Sequence, residues 1–395
     1  MSSQREVVVL SGVRTAIGGF GGSLKDQPPS ELAAAIVREA IARAGVEAGE
    51  IEHVVFGHVI NTEPHDMYLA RVAAVKGGVP VETPALTLNR LCGSGLQAIV
   101  SAAQTIMLGD ADAAIGGGAE VMSRAPYSVP AMRWGARMSD AKLVDMMVGA
   151  LSDPFDDCHM GVTAENVAAK WGITREEQDA LAVESHTRAA AAIADGRFKG
   201  QIMPVELKVK GGTQTFDTDE NVRPDSSVEK MAKLRPVFQK DGSVTAGNAS
   251  SINDAAAAVV LMERGAAERR GYKPLARLVG YAHAGVEPRY MGIGPVPAVK
   301  RLLERTGVRL DEIDLFEVNE AFAAQALAVA KDLELPPEKT NPNGSGISLG
   351  HPIGATGCIL TVKAVHELQR SGGRYALVTM CIGGGQGIAA IFERM

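Results

Sequence analysis

NRLCGSGLQAIVSAAQTIMLGDADAAIGGGAE, from Asn89 to Glu120, returns later in the chain as SLGHPIGATGCILTVKAVHELQRSGGRYALVTMCIGGG, from Ser348 to Gly385. Each stretch has a glycine-rich turn, a helical pattern, a break of small residues, an apolar strand and a glycine triplet, in that order. The offset is nearly constant. Phe56 to Phe316 is 260 positions, and Cys92 to His351 is 259. A period this long predicts two copies of one α/β unit packed together. Cys92 and His351 then hold matching places at the starts of matching helices, and a pseudo-two-fold axis brings those starts to one site.

The pattern extends outward from both stretches. EVVVLSG (Glu6–Gly12), HVVFGHVI (His53–Ile60), ALTLNR (Ala85–Arg90) and DAAIGGGAE (Asp112–Glu120) read as strands. SELAAAIVREAIARAG (Ser30–Gly45) reads as a helix with Ser30 at its N-cap. The β-α-β-α order predicts a mainly parallel sheet with helices packed on it. IDLFEVNEAFAAQALAVAKDL starts the second copy's strand-to-helix step, and IAAIFERM reads as a final strand. From about Val121 to Thr245 the chain is richer in Met, Pro and polar residues, which predicts an inserted lobe. Two helices are expected inside it, and Thr174 with Glu177 forms a capping box at the start of the second.

With 395 residues there is room for two or three domains. A net charge of −6 argues against a nucleic-acid partner. The four cysteines, Cys92, Cys158, Cys358 and Cys381, include no CxxC pair and have no zinc-finger spacing with His. They read as free thiols in a reducing compartment. The N-terminus has no apolar leader, and no unbroken apolar run reaches membrane-span length. A soluble, cytoplasmic protein is expected.

Four stretches carry chemistry. A thiol at a helix mouth meets unpaired N–H groups and the positive dipole end, so Cys92 is expected to have a lowered pKa and act as a nucleophile. The bland alternative is an inert buried cysteine. In GHPIGATG, His351 supplies the side chain suited to deprotonate a thiol near neutral pH, or else it caps a helix. In MCIGGGQG, Cys381 ends a strand and meets a glycine turn whose N–H groups are free to face a substrate oxygen. This turn is no dinucleotide fingerprint, because no helix follows it. In VNEAFAAQ, Asn319 lies between a strand and a helix, where an ordinary N-cap is the competing reading.

NRLCGSGLQAI, NEAF, GHPIGATG and CIGGGQG, in this order and spacing, resemble the thiolases. The resemblance runs nearly end to end and includes SGVRTAIG, HMGVTAENVA, MAKLRPVF, TAGNASSINDAAAAVV and MGIGPVPA. It is closest to bacterial biosynthetic β-ketothiolases that supply polyhydroxyalkanoate synthesis. The implied fold is α/β: duplicated β-α-β-α-β-α-β-β halves in a five-layer αβαβα stack with an inserted loop domain. Residues 1–121 would form the first half, completed by about 246–272. Residues 122–245 would form the loop domain, and 273–395 the second half.

The resemblance implies a reversible Claisen condensation between thioesters. Cys92 matches the acyl-carrying nucleophile, His351 the group that takes its proton, and Cys381 the base for the substrate α-carbon. Asn319 would hold a water that, with His351, forms one oxyanion hole. The N–H groups of Cys92 and Gly383 would form the other. Acetyl-CoA, acyl-CoA and CoA are the implied partners, with no permanently bound cofactor and no metal. Arg223 matches a residue near the nucleotide, and Ser250 one on the pantetheine arm. His159, Met160, Ala246 and Met291 match the pantetheine or acyl pocket, as do Leu151 and Phe322.

Charge fits this placement, since Arg197–Lys240 holds nine Lys and Arg against six Asp and Glu. The Met-rich stretch Met122–Met147 falls where the family has a tetramer-forming loop, so a homotetramer is expected. Cys158, Cys358, His53, His58, His65, His186, His283 and His366 are read as ordinary structural residues. Three rival functions stand beside this one. A degradative 3-ketoacyl-CoA thiolase would use the same chemical residues with a different acyl pocket. A non-catalytic acyl-CoA-binding member would have lost one of the four motifs. A Cys-His-His ketoacyl synthase would carry His where this chain has Asn319.

Overall fold

The computed structural model of the protein describes residues 5–395. In the first half, strand β1 (Val7–Thr15) leads to helix α1 (Pro29–Ala44), then β2 (His53–Gly57), α2 (Leu69–Lys76), β3 (Ala85–Leu88), α3 (Ser94–Leu108) and β4 (Ala113–Val121). Within the insert lie α4 (Met160–Trp171) and α5 (Arg175–Ala194). Strand β5 (Asn253–Glu263) then completes the first half. The second half runs β6 (Ala276–Gly285), α6 (Pro295–Thr306), β7 (Leu315–Val318), α7 (Ala323–Leu333), α8 (Thr356–Ser371), β8 (Tyr375–Ile382) and β9 (Gln386–Arg394).

The strand order exposes the duplication. The first half runs β1-β5-β4-β2-β3 and the second β6-β9-β8-β7, with a parallel bridge from Phe316 to Thr340 where β3 would fall. The two halves join edge to edge, because β1 pairs with β6 at Val8–Arg277 and Val9–Ala276. Helices α1 and α2 cover one outer face and α6 and α7 the other. Helices α3 and α8 pack on each other between the sheets, which gives five layers.

Two expectations change. The sheet is mixed rather than mainly parallel. Among one another, β2, β3 and β4, and their counterparts β7 and β8, run parallel, and β1 takes a short parallel partner at Ile202–Met203, while β1, β5, β6 and β9 pair antiparallel with their neighbours. The β8–β9 link is a tight turn, and a parallel pair would need a crossover of a dozen residues or more. Helix α1 begins at Pro29 with Pro28 at its N-cap and no side-chain cap, so Ser30 lies inside the first turn. Proline at N1 is already set to helical φ and lacks the N–H that would go unpaired there. The Thr174–Glu177 capping box and the left-handed Gly45 after α1 are present as the sequence implies.

The stretch Leu91–Leu108 reaches the mean hydropathy of a membrane span, 1.4 over 18 residues. It is the central-layer helix, and most of its side chains face protein. It meets α8 through bare backbone. A Cβ on Gly95 would sit 2.6 Å from the Cys358 nitrogen, and one on Gly357 would sit 2.3 Å from the Leu96 nitrogen. Both distances are shorter than any side chain allows, so glycine at these two positions is what lets the helix starts cross.

The insert is tied down by buried charge. Arg14, on β1, has no solvent exposure and grips Asp219 with both guanidinium nitrogens at 2.7 and 2.9 Å, while Asp219 also accepts the Ile17 N–H at 2.8 Å. Two residues on, Asn221 donates to the Leu349 carbonyl just before His351. Removing one partner of a buried pair leaves the other charge uncompensated, at a cost of about 3–5 kcal/mol. Arg14→Ala should therefore lower unfolding stability by about that amount, read from urea unfolding followed by circular dichroism. An unchanged midpoint would mean that the pair contributes nothing.

Candidate active site

Each chemical side chain sits where a strand ends or a helix begins. Cys92 lies in a 3-10 turn, Leu91–Gly93, that feeds α3. Leu91 takes φ +43°, a left-handed conformation uncommon outside glycine. Short polar side chains hold it there. Asn89 Oδ1 accepts the Leu91 N–H at 2.9 Å, and the Ser94 hydroxyl accepts the Arg90 N–H and donates to the Leu91 carbonyl.

His351 precedes α8 and follows Gly350, whose φ is +118°. Its backbone N–H donates to Asn253 Oδ1 at 2.8 Å. Its ring Nδ1 is 2.7 Å from the Thr356 hydroxyl, and that hydroxyl is 2.9 Å from the Pro352 carbonyl. A carbonyl only accepts, so the single hydroxyl proton goes to Pro352. The Thr356 oxygen then accepts from Nδ1–H, which leaves Nε2 as the unprotonated ring nitrogen. Asn319, at the end of β7, is fully buried and places its Nδ2 3.4 Å from Nε2. Its Oδ1 has no hydrogen-bond partner among the described residues. Helix α7 has Phe322 at its N-cap, so Asn319 does not serve as the cap. Cys381 is buried near the end of β8, and a turn with Gly384 and Gly385 at φ +80° and +85° returns the chain to β9.

Cys92, His351, Cys381 and Gly383 line one cavity of about 240 Å³, together with Leu151, His159, Met160, Ser250, Met291 and Phe322. Arg223 and Ala246 line a second cavity of about 310 Å³. The two share Ala249 and Ser251 as walls, so they adjoin. Of the thirteen residues singled out above, only Asn319 lines neither cavity, and it stands directly behind His351.

The sequence reading missed several wall residues. Met122, Ala150, Ile252 and Ile353 add apolar surface near Cys92, and Phe238 stacks on His159 with ring centroids 4.7 Å apart. Phe238 lies in the MAKLRPVF motif, which was a usable signal. His186, read as structural, lines the outer cavity, and its Nδ1 accepts the Arg223 N–H at 3.1 Å.

The electrostatics correct one expectation. The helix mouth does not leave Cys92 with a lowered pKa. Burial pushes the thiol up to about 11, and the N–H groups of Gly383 and of Cys92 itself, which face the sulfur, only partly offset it. Burial likewise lowers His351 to about 4. Burial, reinforced by the neighbouring Cys92, pushes Cys381 up. The resting pair is therefore neutral thiol and neutral imidazole. Such a site suits a nucleophile that ionises only as it attacks.

A duplicated five-layer fold, by its helix starts and strand ends, places Cys92, His351 and Cys381 on one apolar cleft with Asn319 behind His351, the arrangement of an acyltransferase. Residues 7–265 match the thiolase N-terminal domain, and residues 272–394 match the thiolase C-terminal domain. The chain belongs to the thiolase family. It is 71% identical to the beta-ketothiolase BktB of Cupriavidus necator, over 99% of this chain and 100% of that one. It is 46% identical to the mitochondrial 3-ketoacyl-CoA thiolase of Bos taurus, over 100% of this chain and 99% of that one. The crystal structure of Bacillus anthracis acetyl-CoA acetyltransferase superposes with a TM-score of 0.98 at 46% identity, covering all of both chains.

The buried groups set the pH range of stability. His351, His186 and His283 fall from 6.5 to about 4 on folding, so the unfolded chain binds more protons below 6.5. Cys92 rises from 9.0 to about 11, so the unfolded chain loses its proton first above 9. The stability that these four groups contribute is greatest between these limits and falls on both sides. Asp254 and Glu317, which burial raises to about 6 and about 7, oppose it on the acid side. It is measured as the difference in urea midpoint between wild type and variant against pH. His351→Gln should flatten part of the acid limb. An acid limb unchanged in that variant would show that His351 is not the neutral buried group described.

Proposed function

We propose that this protein is a β-ketothiolase. It condenses acetyl-CoA with acetyl-CoA or another short acyl-CoA to a 3-ketoacyl-CoA and free CoA, and runs the reverse cleavage. The observation that carries the reading is the convergence of Cys92, His351 and Cys381 on one apolar cavity that opens into a second, partly charged one.

In the first step, Cys92 Sγ attacks the acetyl thioester carbonyl. His351 Nε2 takes the thiol proton and passes it to the departing CoA sulfur. The oxygen that becomes negative is met by the N–H groups of Cys92 and Gly383, which already face the sulfur. In the second step, Cys381 removes a proton from the α-carbon of another acetyl-CoA. Burial raises this thiol, so it acts as the base only once its own proton has gone to water, and its thiolate is then a strong base. The enolate then attacks acetyl-Cys92, the C–C bond forms, and the Cys92 sulfur leaves as a thiolate that takes up a proton, which restores the one lost from Cys381 at the start. During this step the enolate oxygen lies against His351 and a water held by the free Oδ1 of Asn319.

The CoA arm runs between the two cavities past Ser250. Arg223 and Lys230 in the outer cavity suit the phosphorylated end, which assigns the insert of residues 122–245 to CoA contact. CoA thioesters are substrates here, and no resident cofactor is needed. The 71% identity to a beta-ketothiolase favours the biosynthetic direction, since the mitochondrial 3-ketoacyl-CoA thiolase of Bos taurus stands at 46%. The same reading makes the protein a cytoplasmic supplier for polyhydroxyalkanoate synthesis. It also makes it a homotetramer, with Trp134 and Met138, 87% and 93% exposed on the Met-rich loop, supporting contact with a further copy.

Cys381→Ala separates the two steps. It should still form acetyl-Cys92, seen by mass spectrometry, while condensation falls about 10²–10⁴-fold, the range for a lost general base. Normal condensation by this variant would sink the two-cysteine mechanism. Thiolysis rates against 3-ketoacyl chain length test the substrate class, and they should be highest at four and five carbons. Rates that keep rising with longer chains would move the protein to the degradative class.

A further inference from the structure

Beneath Cys92 lies a charged cluster that the mechanism above does not use. Glu120, at the end of β4, is fully buried. Its Oε2 accepts the N–H groups of Val59 at 3.0 Å and Gly354 at 2.9 Å, and its Oε1 accepts that of Ile60 at 3.1 Å. Val59 and Ile60 follow β2 in the first half. Gly354 belongs to the second-half loop that carries His351, three residues away. Ile60 and Ile353 both belong to the apolar cluster against which Cys92 packs. One carboxylate thus fastens the two halves together at the nucleophile.

Two further titratable side chains flank the carboxylate. His58 Nδ1 is 2.8 Å from the Ala119 carbonyl and 3.4 Å from Glu120 Oε1, and its Nε2 faces Asp66 Oδ2 at 3.8 Å. Asp66 in turn accepts the N–H groups of Thr62 and Glu63 and the Thr62 hydroxyl. All three side chains are shut off from solvent. Every close partner of the Glu120 oxygens is a donor, so no acceptor is available for a carboxyl proton and the group is ionised.

We propose that Glu120 is a positioning residue for the acyl-transfer step: its carboxylate locks the His351-bearing loop onto the Cys92 side of the seam and holds a fixed negative charge beneath the thiol. The charge favours the protonated thiol over the thiolate, so Cys92 gives up its proton only to His351. The titratable groups around Cys92 are His351, Cys381 and Glu120. Those around Glu120 are His58 and, through it, Asp66. Burial pushes the Glu120 carboxyl up, and His58 with the three N–H donors opposes this.

The inference rests on Cys92 being the nucleophile, and the test separates the two claims. Iodoacetamide alkylation of Cys92, followed by peptide mass spectrometry across pH, reads the thiol without any CoA substrate. Glu120→Gln removes the charge and turns an amide group toward one of the three N–H donors. Its alkylation profile should move to lower pH, and acetylation of Cys92 by acetyl-CoA should fall about 100-fold, as for an ångström-scale misplacement. Glu120→Asp keeps the charge but is too short to reach both loops. It should keep the wild-type alkylation profile and lose acetylation, and it carries the test if Glu120→Gln does not fold. Wild-type acetylation in Glu120→Asp, or an unmoved profile in folded Glu120→Gln, overturns the proposal. Failure of wild-type protein to acetylate Cys92 would instead overturn the thiolase mechanism.

Discussion

The crossing of α3 and α8 at bare backbone is the constraint on which the site depends. Gly95 and Gly357 let the two helix starts approach to a distance that no Cβ would permit. That approach comes from packing two copies of one unit together, joined through β1 and β6, each contributing its helix to a shared central layer. Cys92 and His351 are then neighbours because their helices are, although 259 positions separate them. Glycines beside a reactive residue invite the reading that they make room for substrate. Here these two make room for another helix, and the cavity is walled by Met, Phe, Leu and Ile side chains instead.

Burial then sets the electrostatics. A helix mouth stabilises a thiolate only by the partial charge of a few N–H groups, and that stabilisation fades when the thiol is removed from water. At Cys92 desolvation wins, as it does at His351, where it favours the neutral ring. The two shifts act together: a thiolate–imidazolium pair would need both groups charged in a low-dielectric pocket. The Thr356–Pro352 chain fixes which ring nitrogen is free, so the resting site is neutral but already oriented. The N–H groups of Cys92 and Gly383, held by backbone, need no reorganisation when negative charge arrives.

Much of this could be read in the sequence, because duplication and glycine-flanked motifs leave local marks. The repeat predicted two matching halves, and the four side chains expected to do chemistry, singled out at strand ends and helix starts, lie at or behind one cavity. The mixed direction of the sheet could not be read, because strand polarity depends on how distant segments pair. The Cys92 pKa was misjudged for a related reason. A dipole is visible in a helix pattern, whereas burial is a property of the whole fold. Glu120 and Thr356 left no separate mark either. A glutamate ending an alternating strand looks exposed until the second half supplies Gly354 as a donor. Thr356 looks like any helix residue until its hydroxyl is seen between Pro352 and His351.

Under the proposed function, the two adjoining cavities would divide recognition between different kinds of force. The outer one, with Arg223, Asp225 and Lys230 on its wall, would work by charge that solvent and salt can screen. The inner one would work by apolar contact, where each methylene counts for only about 1–3 kcal/mol. The segment that supplies Arg223 is stitched to β1 through Asp219 and to the loop before His351 through Asn221. The wall of the outer cavity and the loop that carries His351 are therefore tied to each other by hydrogen bonds. Selectivity for the handle and selectivity for the acyl group can then change separately, since the walls that read them share only Ala249 and Ser251.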